Sequence, residues 1–239
     1  MTISLIKVAL DDGHGNNTSG KRTPLFEDGS FMKENEFNDF VVNVTGKILE
    51  KRGINVIYTA PEKTDTSLTT RVKRANDQKA DIFVSAHANA FGSGWNDANG
   101  FETFIYSFQS KNSLKLAEYI QKECVKATKL KDRGIKTSAD LYVLNSTKMP
   151  SVLIECGFMT NKKEAQLLKS MLYRYTCWKA IAKGILKYFN MELGDGYLTI
   201  AEAKKIIQEA CKFDENTMRY LEFYRFADSL IIRLAEAII

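Results

Sequence analysis

Apolar runs of strand length alternate along this chain with stretches whose apolar residues recur at helical spacing. The runs at 3–10, 54–59, 82–86, 101–106, 141–144 and 152–156 predict strands. Between them, Phe37, Phe40, Val41, Val44, Ile48 and Leu49 trace one amphipathic helix, and Leu114, Ala117, Ile120 and Val125 trace another. Asn161 followed by Glu164 has the spacing of a capping box, which starts a helix soon after the last strand. A further helix is expected over 173–189. This alternation predicts an α/β fold: a mixed, mostly parallel twisted sheet of about six strands flanked by helices on both faces.

Past that point the pattern changes. Met191-Glu192-Leu193-Gly194-Asp195-Gly196 carries two glycines and little apolar content, as a linker does. Thr199 and Glu202 form a second capping-box pattern, Ile206, Ile207 and Ala210 continue an apolar stripe, and Leu230, Ile231, Leu234, Ala235 and Ile238 mark a last helix. The expected plan is an α/β domain over 1–190 and a small all-helical C-terminal module over 191–239. Tyr220, Phe223, Tyr224 and Phe226 read as helical core. A surface for a partner, or homo-oligomerisation through the C-terminal helices, is the functional alternative.

Composition narrows the class. With 239 residues and 44% hydrophobic content the chain can bury a proper core. A formal charge of +5, spread without a Lys/Arg block, permits an anionic polymer as partner; no nucleic acid is expected. The four cysteines are far apart with no CxxC, which argues against a disulfide framework or a thiolate zinc cage. No apolar stretch approaches the roughly 20 residues that cross a bilayer, so no membrane insertion is expected. Lys7 and the Asp11-Asp12 pair break the N-terminal run, which reads as a strand and not as a signal peptide. Synthesis in the cytoplasm follows from that reading.

The chemistry starts from the histidines. The chain has only two, and each directly follows an apolar run among small residues, in Gly13-His14-Gly15 and Ala86-His87-Ala88-Asn89. Groups at the carboxyl ends of strands in an open α/β sheet gather where ligands bind. Small neighbours leave backbone close and room above. Neutral imidazole suits zinc, and a catalytic zinc keeps three protein ligands and an open position. A third ligand could be Asp11, Asp12, Glu34, Glu36 or Glu155, and spacing does not choose among them. Glu155 ends the apolar run Val152-Leu153-Ile154, where a purely structural carboxylate would be costly. Cys156, its neighbour, faces the opposite side of the strand and reads as a buried core thiol.

These residues fall in ordered blocks: Asp12-Gly13-His14-Gly15; Glu34-Asn35-Glu36-Phe37-Asn38; Arg71 with Ala75-Asn76; 80–90 around His87; Gly100-Phe101-Glu102-Thr103; Arg133-Gly134-Ile135-Lys136; and 150–161 around Glu155. From residue 3 to residue 189 the chain resembles the zinc-dependent N-acetylmuramoyl-L-alanine amidases of the Amidase_3 family. The resemblance implies that His14, Glu34 and His87 hold Zn2+ and that Glu155 is the catalytic carboxylate. Glu34 is preferred to Glu36 because the family's ligand Glu stands four residues before an Asn, here Asn38. The chain departs from the family at Asp12, where Pro is usual, in the long stretch 16–32, and at Ala60, where an Arg is common. Among the weaker candidates, Arg71 and Asn76 are expected to hold the helix before the His87 strand. Asn89 would be a turn residue or would orient a ligand. Arg133 and Lys136 would be solvated loop charges or contacts to wall carboxylates.

The implied activity is hydrolysis of the amide between N-acetylmuramic acid and L-alanine in bacterial peptidoglycan, as in a phage endolysin or an autolysin. The enzyme would reach the wall after release through a holin-type pore or cell lysis. A catalytically inactive wall-binding protein on the same scaffold, or a polysaccharide deacetylase, would share the residues and differ in products.

Overall fold

β1 (Lys7–Asp12) and β3 (Ile82–Asn89) run side by side near the middle of the sheet that organises this chain. β2 (Asn55–Tyr58), β6 (Ser151–Phe158), β4 (Phe101–Ile105) and β5 (Asp132–Thr137) complete a six-stranded sheet in the order β2-β1-β3-β6-β4-β5. Every neighbouring pair is parallel except β4 with β6. The structure is a computed structural model that describes residues 5–193, 208, 212 and 214–218. It divides into two compact units, Met1–Glu192 and Leu193–Ile239. The capping pattern at Thr199, the stripe residues Ile206, Ile207 and Ala210, the aromatics Tyr220, Phe223, Tyr224 and Phe226, and the last helix expected at 230–238 lie outside the described residues, as do 194–196 of the linker.

Among the described residues, the strands are connected and covered by α1 (Glu34–Lys51), α2 (Leu68–Asp77), α3 (Lys111–Thr128), α4 (Tyr142–Asn145), α5 (Lys162–Lys169) and α6 (Met171–Tyr188). On one face, Ala9, Ile57, Phe83 and Leu153 of the strands form a core with Val72 and Ala75 of α2 and Val143 and Leu144 of α4. Alternation sends Cys156 to the other face, where it lies fully buried, as does Cys177 of α6. The chain leaves β1 towards β2 and later returns to β3 on β1's other side. Its order therefore reverses beside β1, the switch point where open α/β sheets form their ligand crevice. Among the described residues, no helix is long and apolar enough to cross a membrane.

Two expectations need correction. Residues 141–144 form a helical turn: the Leu144 and Asn145 amides both donate to the Leu141 carbonyl, at 2.9 and 3.1 Å. An apolar run of four is too short for periodicity to separate strand from helix, and packing beneath α2 decided it. Conversely, the edge strand β5 was not expected, because Asp132-Arg133-Gly134-Ile135-Lys136-Thr137 has one apolar residue and no buried one. Asn161 does cap α5, its Oδ1 accepting from the Lys163 and Glu164 amides at 3.1 and 3.2 Å. Glu164 does not complete a box. Its carboxylate accepts from the Phe158 and Gly100 amides at 2.7 and 2.8 Å, tying the end of β6 to the start of β4.

Candidate metal centre

His14 follows β1, His87 lies within β3 and Glu34 opens α1, so three separate elements bring their side chains to the switch point. One donor atom from each lies within 4.8 Å of the other two. Glu34 sits between the imidazoles: its Oε1 is 3.0 Å from His87 Nδ1, and its Oε2 is 3.4 Å from His14 Nε2. The rings meet edge to face, with centroids 5.1 Å apart. Asp11, Asp12 and Glu36, the other carboxylates offered by spacing, are committed elsewhere. Asp12 accepts from Asn35 Nδ2 at 3.1 Å, and exposed Glu36 accepts from the Lys33 amide at 3.0 Å.

Each donor is held by neighbours. Asn38, one helical turn after Glu34, donates to Glu34 Oε1 at 3.4 Å and to the Gly13 carbonyl at 2.8 Å. The Ala88 amide also donates to Glu34 Oε1, at 3.3 Å. His14 has φ of 65°, a left-handed conformation that is uncommon outside glycine. Its carbonyl accepts from Asn35 Nδ2 and from Arg71 Nη2, both at 3.0 Å, which holds the strained turn in place.

Arg71 is the largest difference from the sequence reading, which gave it only a role in its own helix. It is buried, and its guanidinium binds the carbonyls of Thr66 (2.8 Å), Asp12 (2.6 Å) and His14, together with Asp11 Oδ1 at 2.9 Å. Asp11 also accepts from Thr59 Oγ1 and Ser85 Oγ, each at 2.6 Å. Ser85 Oγ in turn lies 3.1 Å from His87 Nε2. A continuous polar chain thus runs from Arg71 through Asp11 and Ser85 to the ring nitrogen of His87 that faces away from Glu34. No spacing rule connects positions 11, 59, 71 and 85, so this network was not legible beforehand. Asn76 instead ties α2 to the segment after α4, donating to the Ser146 carbonyl at 3.1 Å.

Room near the histidines is tighter than expected from the small residues alone. A Cβ placed on Gly13 would lie 2.0 Å from His87 Cε1, and one on Gly15 would lie 2.2 Å from the Asp65 amide nitrogen. The missing side chain at Gly13 makes space for the His87 ring itself.

Glu155 is not at a strand end, as expected, but inside β6, directly opposite His87 in register. On its other side it pairs with Glu102 of β4, so His87, Glu155 and Glu102 form one row across three strands. Glu155 Oε2 is buried and has no hydrogen-bond partner. Burial pushes its carboxyl up to about 8; His87 opposes this, while the charges of Glu34 and Glu102 add to it. Burial pushes His14 down to about 4 against the pull of Glu34, so at neutral pH it is an uncharged imidazole with a lone pair to give. Burial would raise Glu34, but the hydrogen bond and charge of His87, with His14 behind them, hold it below its usual value. A neutral imidazole, an ionised carboxylate and a second imidazole converging on one point, beside an orphaned carboxylate oxygen, fit a divalent metal.

Arg133, Lys136 and Asn89 all turn to Glu102. Arg133 Nε and Lys136 Nζ share its Oε2, and Asn89 Nδ2 donates to its Oε1 at 2.7 Å. The two cations therefore belong to an edge strand beside the site and are not loop charges. The long stretch 16–32 packs against the segment after β3: Phe26 meets Trp95 with ring centroids 5.1 Å apart, and Trp95 Nε1 donates to the Leu25 carbonyl at 3.1 Å.

Residues 8–187 match the family model described as N-acetylmuramoyl-L-alanine amidase. The chain belongs to that family. It is 36% identical over 184 residues to the N-acetylmuramoyl-L-alanine amidase LytC of Bacillus subtilis, covering 77% of this chain and 35% of that one. Against the endolysin of Bacillus phage SPP1 it is 36% identical over 196 residues, covering 79% and 68%. The solved catalytic domain of CwlV, an N-acetylmuramoyl-L-alanine amidase from Bacillus (Paenibacillus) polymyxa, superposes with a TM-score of 0.69 at 33% identity, covering 79% of this chain and all of that one. The amidase family thus accounts for the sheet, while the match leaves residues after 187 outside it.

Proposed function

We propose that this chain hydrolyses the amide between N-acetylmuramic acid and L-alanine in peptidoglycan, with His14, Glu34 and His87 holding Zn2+ and Glu155 as the catalytic carboxylate. The observation that carries this reading is the convergence of three metal-type donors on one point, with Glu155 beside His87 in the sheet. Neutral nitrogen and carboxylate oxygen donors are the set that suits zinc. Zinc held there would polarise an amide carbonyl and make a bound water far more acidic than bulk water.

The protein's part is proton management. Glu155 Oε2, buried and without a partner, accepts a proton from the attacking water as the new C–O bond forms. As the C–N bond breaks, the same oxygen returns that proton to the departing nitrogen of L-alanine. Burial alone keeps this carboxyl protonated at neutral pH. The positive charge of a metal held by His14, Glu34 and His87 would favour the ionised form that accepts the proton, and burial then favours giving that proton up to the leaving nitrogen over losing it to solvent. Asn38, the Ala88 amide and the chain from Arg71 to Ser85 hold the donors in place, as outer partners of a metal site do.

Digestion of purified walls tests the activity. New amino groups on L-alanine are the expected product; released acetate would mean a deacetylase, and no product a binding protein. The likeness to a phage endolysin supports lytic use after cytoplasmic synthesis, in an endolysin or autolysin. Residues 191–239 would then act as a module for wall binding or self-association. A protein ending at residue 190 should still cut soluble fragments and no longer pellet with walls.

A further inference from the structure

The row of side chains that begins with His87 and Glu155 does not end at Glu102. It continues to two cations on the edge strand β5, Arg133 and Lys136, which meet at a single carboxylate oxygen. Asn89 occupies the other oxygen of Glu102. Two cations on one carboxylate leave one positive charge unbalanced in this cluster. The carboxylate is buried, but the Arg133 and Lys136 side chains are 29% and 38% exposed, so the surplus charge faces solvent. Of the other acids nearby, Asp132 accepts from Gln121 Nε2 at 2.6 Å and from the Gly134 amide at 2.8 Å, and Glu164, close enough to feel the Arg133 charge, is engaged by the Phe158 and Gly100 amides. Arg133 is further fixed by its contact over the Phe158 ring, 4.9 Å from the centroid, and by donating to the Asn99 carbonyl at 3.3 Å.

We propose that Arg133 and Lys136 form a subsite for a substrate carboxylate and set a preference for acidic over amidated stem peptides. The proposal rests on the amidase reading above. Neighbouring strands lie about 4.8 Å apart, so β5 is roughly 10 Å from β6 and Glu155. In a stem peptide the residue after L-alanine is D-glutamate, linked through its side-chain carboxyl, which leaves the α-carboxyl free or amidated. Two extended residues reach at most about 7 Å, and a long cationic side chain spans the remainder. A substrate with its scissile amide beside Glu155 and its peptide running towards β5 brings that carboxyl to the cations. Glu102 keeps both side chains in place before substrate arrives, so little rotamer freedom is lost on binding.

The test uses two synthetic muramyl peptides that differ only at the α-position of D-glutamate, carboxylate in one and carboxamide in the other. For the full chain, kcat/KM should favour the carboxylate by about 10-fold, mostly through KM. In Lys136→Met and Arg133→Met the ratio should fall towards 1, and Lys136→Arg should retain it. Equal handling of both peptides by the unmodified chain, or an unchanged ratio in both Met variants, would overturn the subsite. Cleavage of neither peptide would instead overturn the amidase reading.

Discussion

His87 and Glu155 stand opposite each other on adjacent parallel strands, the one facing Glu34 and the other carrying a buried oxygen with no partner. Their separation is set by the backbone ladder and not by flexible loops, as a site needs if its groups are to hold productive geometry. The same register places Glu102 on the far side of Glu155.

Glu155→Gln keeps the shape and removes the proton acceptor. Wall-hydrolysing activity should fall about 10³-fold or more, with zinc content unchanged. Above about pH 8, where the parent's carboxyl ionises, the metal-free variant should melt at or above the parent's temperature, because a neutral amide replaces a buried, unpartnered charge. Near-parental turnover would remove Glu155 from the mechanism.

Metal content separates the donors from the residues that hold them. His14→Ala, Glu34→Ala and His87→Ala should each weaken zinc binding beyond the ~100-fold that marks the upper end for outer partners, whereas Asn38→Ala should cost about 10-fold. Elemental analysis after dialysis against graded chelator reads both. Full zinc occupancy in the Glu34 variant would exclude it as a ligand.

Gly13→Ala tests the space claimed by His87. The added methyl would lie 2.0 Å from the ring, so the ring must turn away from Glu34. Zinc affinity should drop at least ~10-fold while far-ultraviolet circular dichroism stays unchanged. Retained affinity would show that the ring has somewhere else to go.

The buried pair of Arg71 and Asp11 should dominate stability at the switch point. Arg71→Met leaves Asp11 without its cation and frees three carbonyls, at an expected cost of about 3–5 kcal/mol in urea unfolding. The double variant Arg71→Met with Asp11→Asn should lose less than the two single losses added together. Additive losses would mean the pair is not coupled.

The same pair gives an acid signature. Burial alone would raise Asp11, but the Arg71 charge and the hydroxyls of Ser85 and Thr59 outweigh it and hold the carboxyl below its usual value of 3.8. A lowered carboxyl pKa contributes stability that is fully present above the unfolded value and lost as pH falls through the folded one. Unfolding free energy should therefore decline below about pH 4, with a shallower decline in Asp11→Asn. Identical acid profiles would refute the assignment.

The site residues were more legible than the network that holds them. His14 and His87 were visible because histidine is scarce here and both follow apolar runs. Glu155 stood out as a charge ending such a run. Glu34 could be separated from Glu36 only through the family resemblance, and geometry gives the reason: Glu34 faces into the site, while Glu36 caps the helix start from outside. Arg71 looked like any helix arginine, since nothing local says that its guanidinium reaches back to β1. β5 was hidden for a related reason, being an edge strand whose polar residues pair with β4 and Glu102 and bury no apolar face.

The sequence by itself determined the α/β alternation, the helical faces, the cap at Asn161, the inward thiol of Cys156 and the positions where metal-type donors had to be sought. These follow from periodicity and local hydrogen bonding, which depend on residues a few positions apart. Only the tertiary structure decided that 141–144 coils beneath α2, that Glu164 ties β6 to β4, and that Arg71 holds the turn of His14. It also aligned His87, Glu155 and Glu102, from three distant segments, in one row. Register between strands and the reach of buried side chains are set by packing over long sequence separations, and no local pattern encodes them.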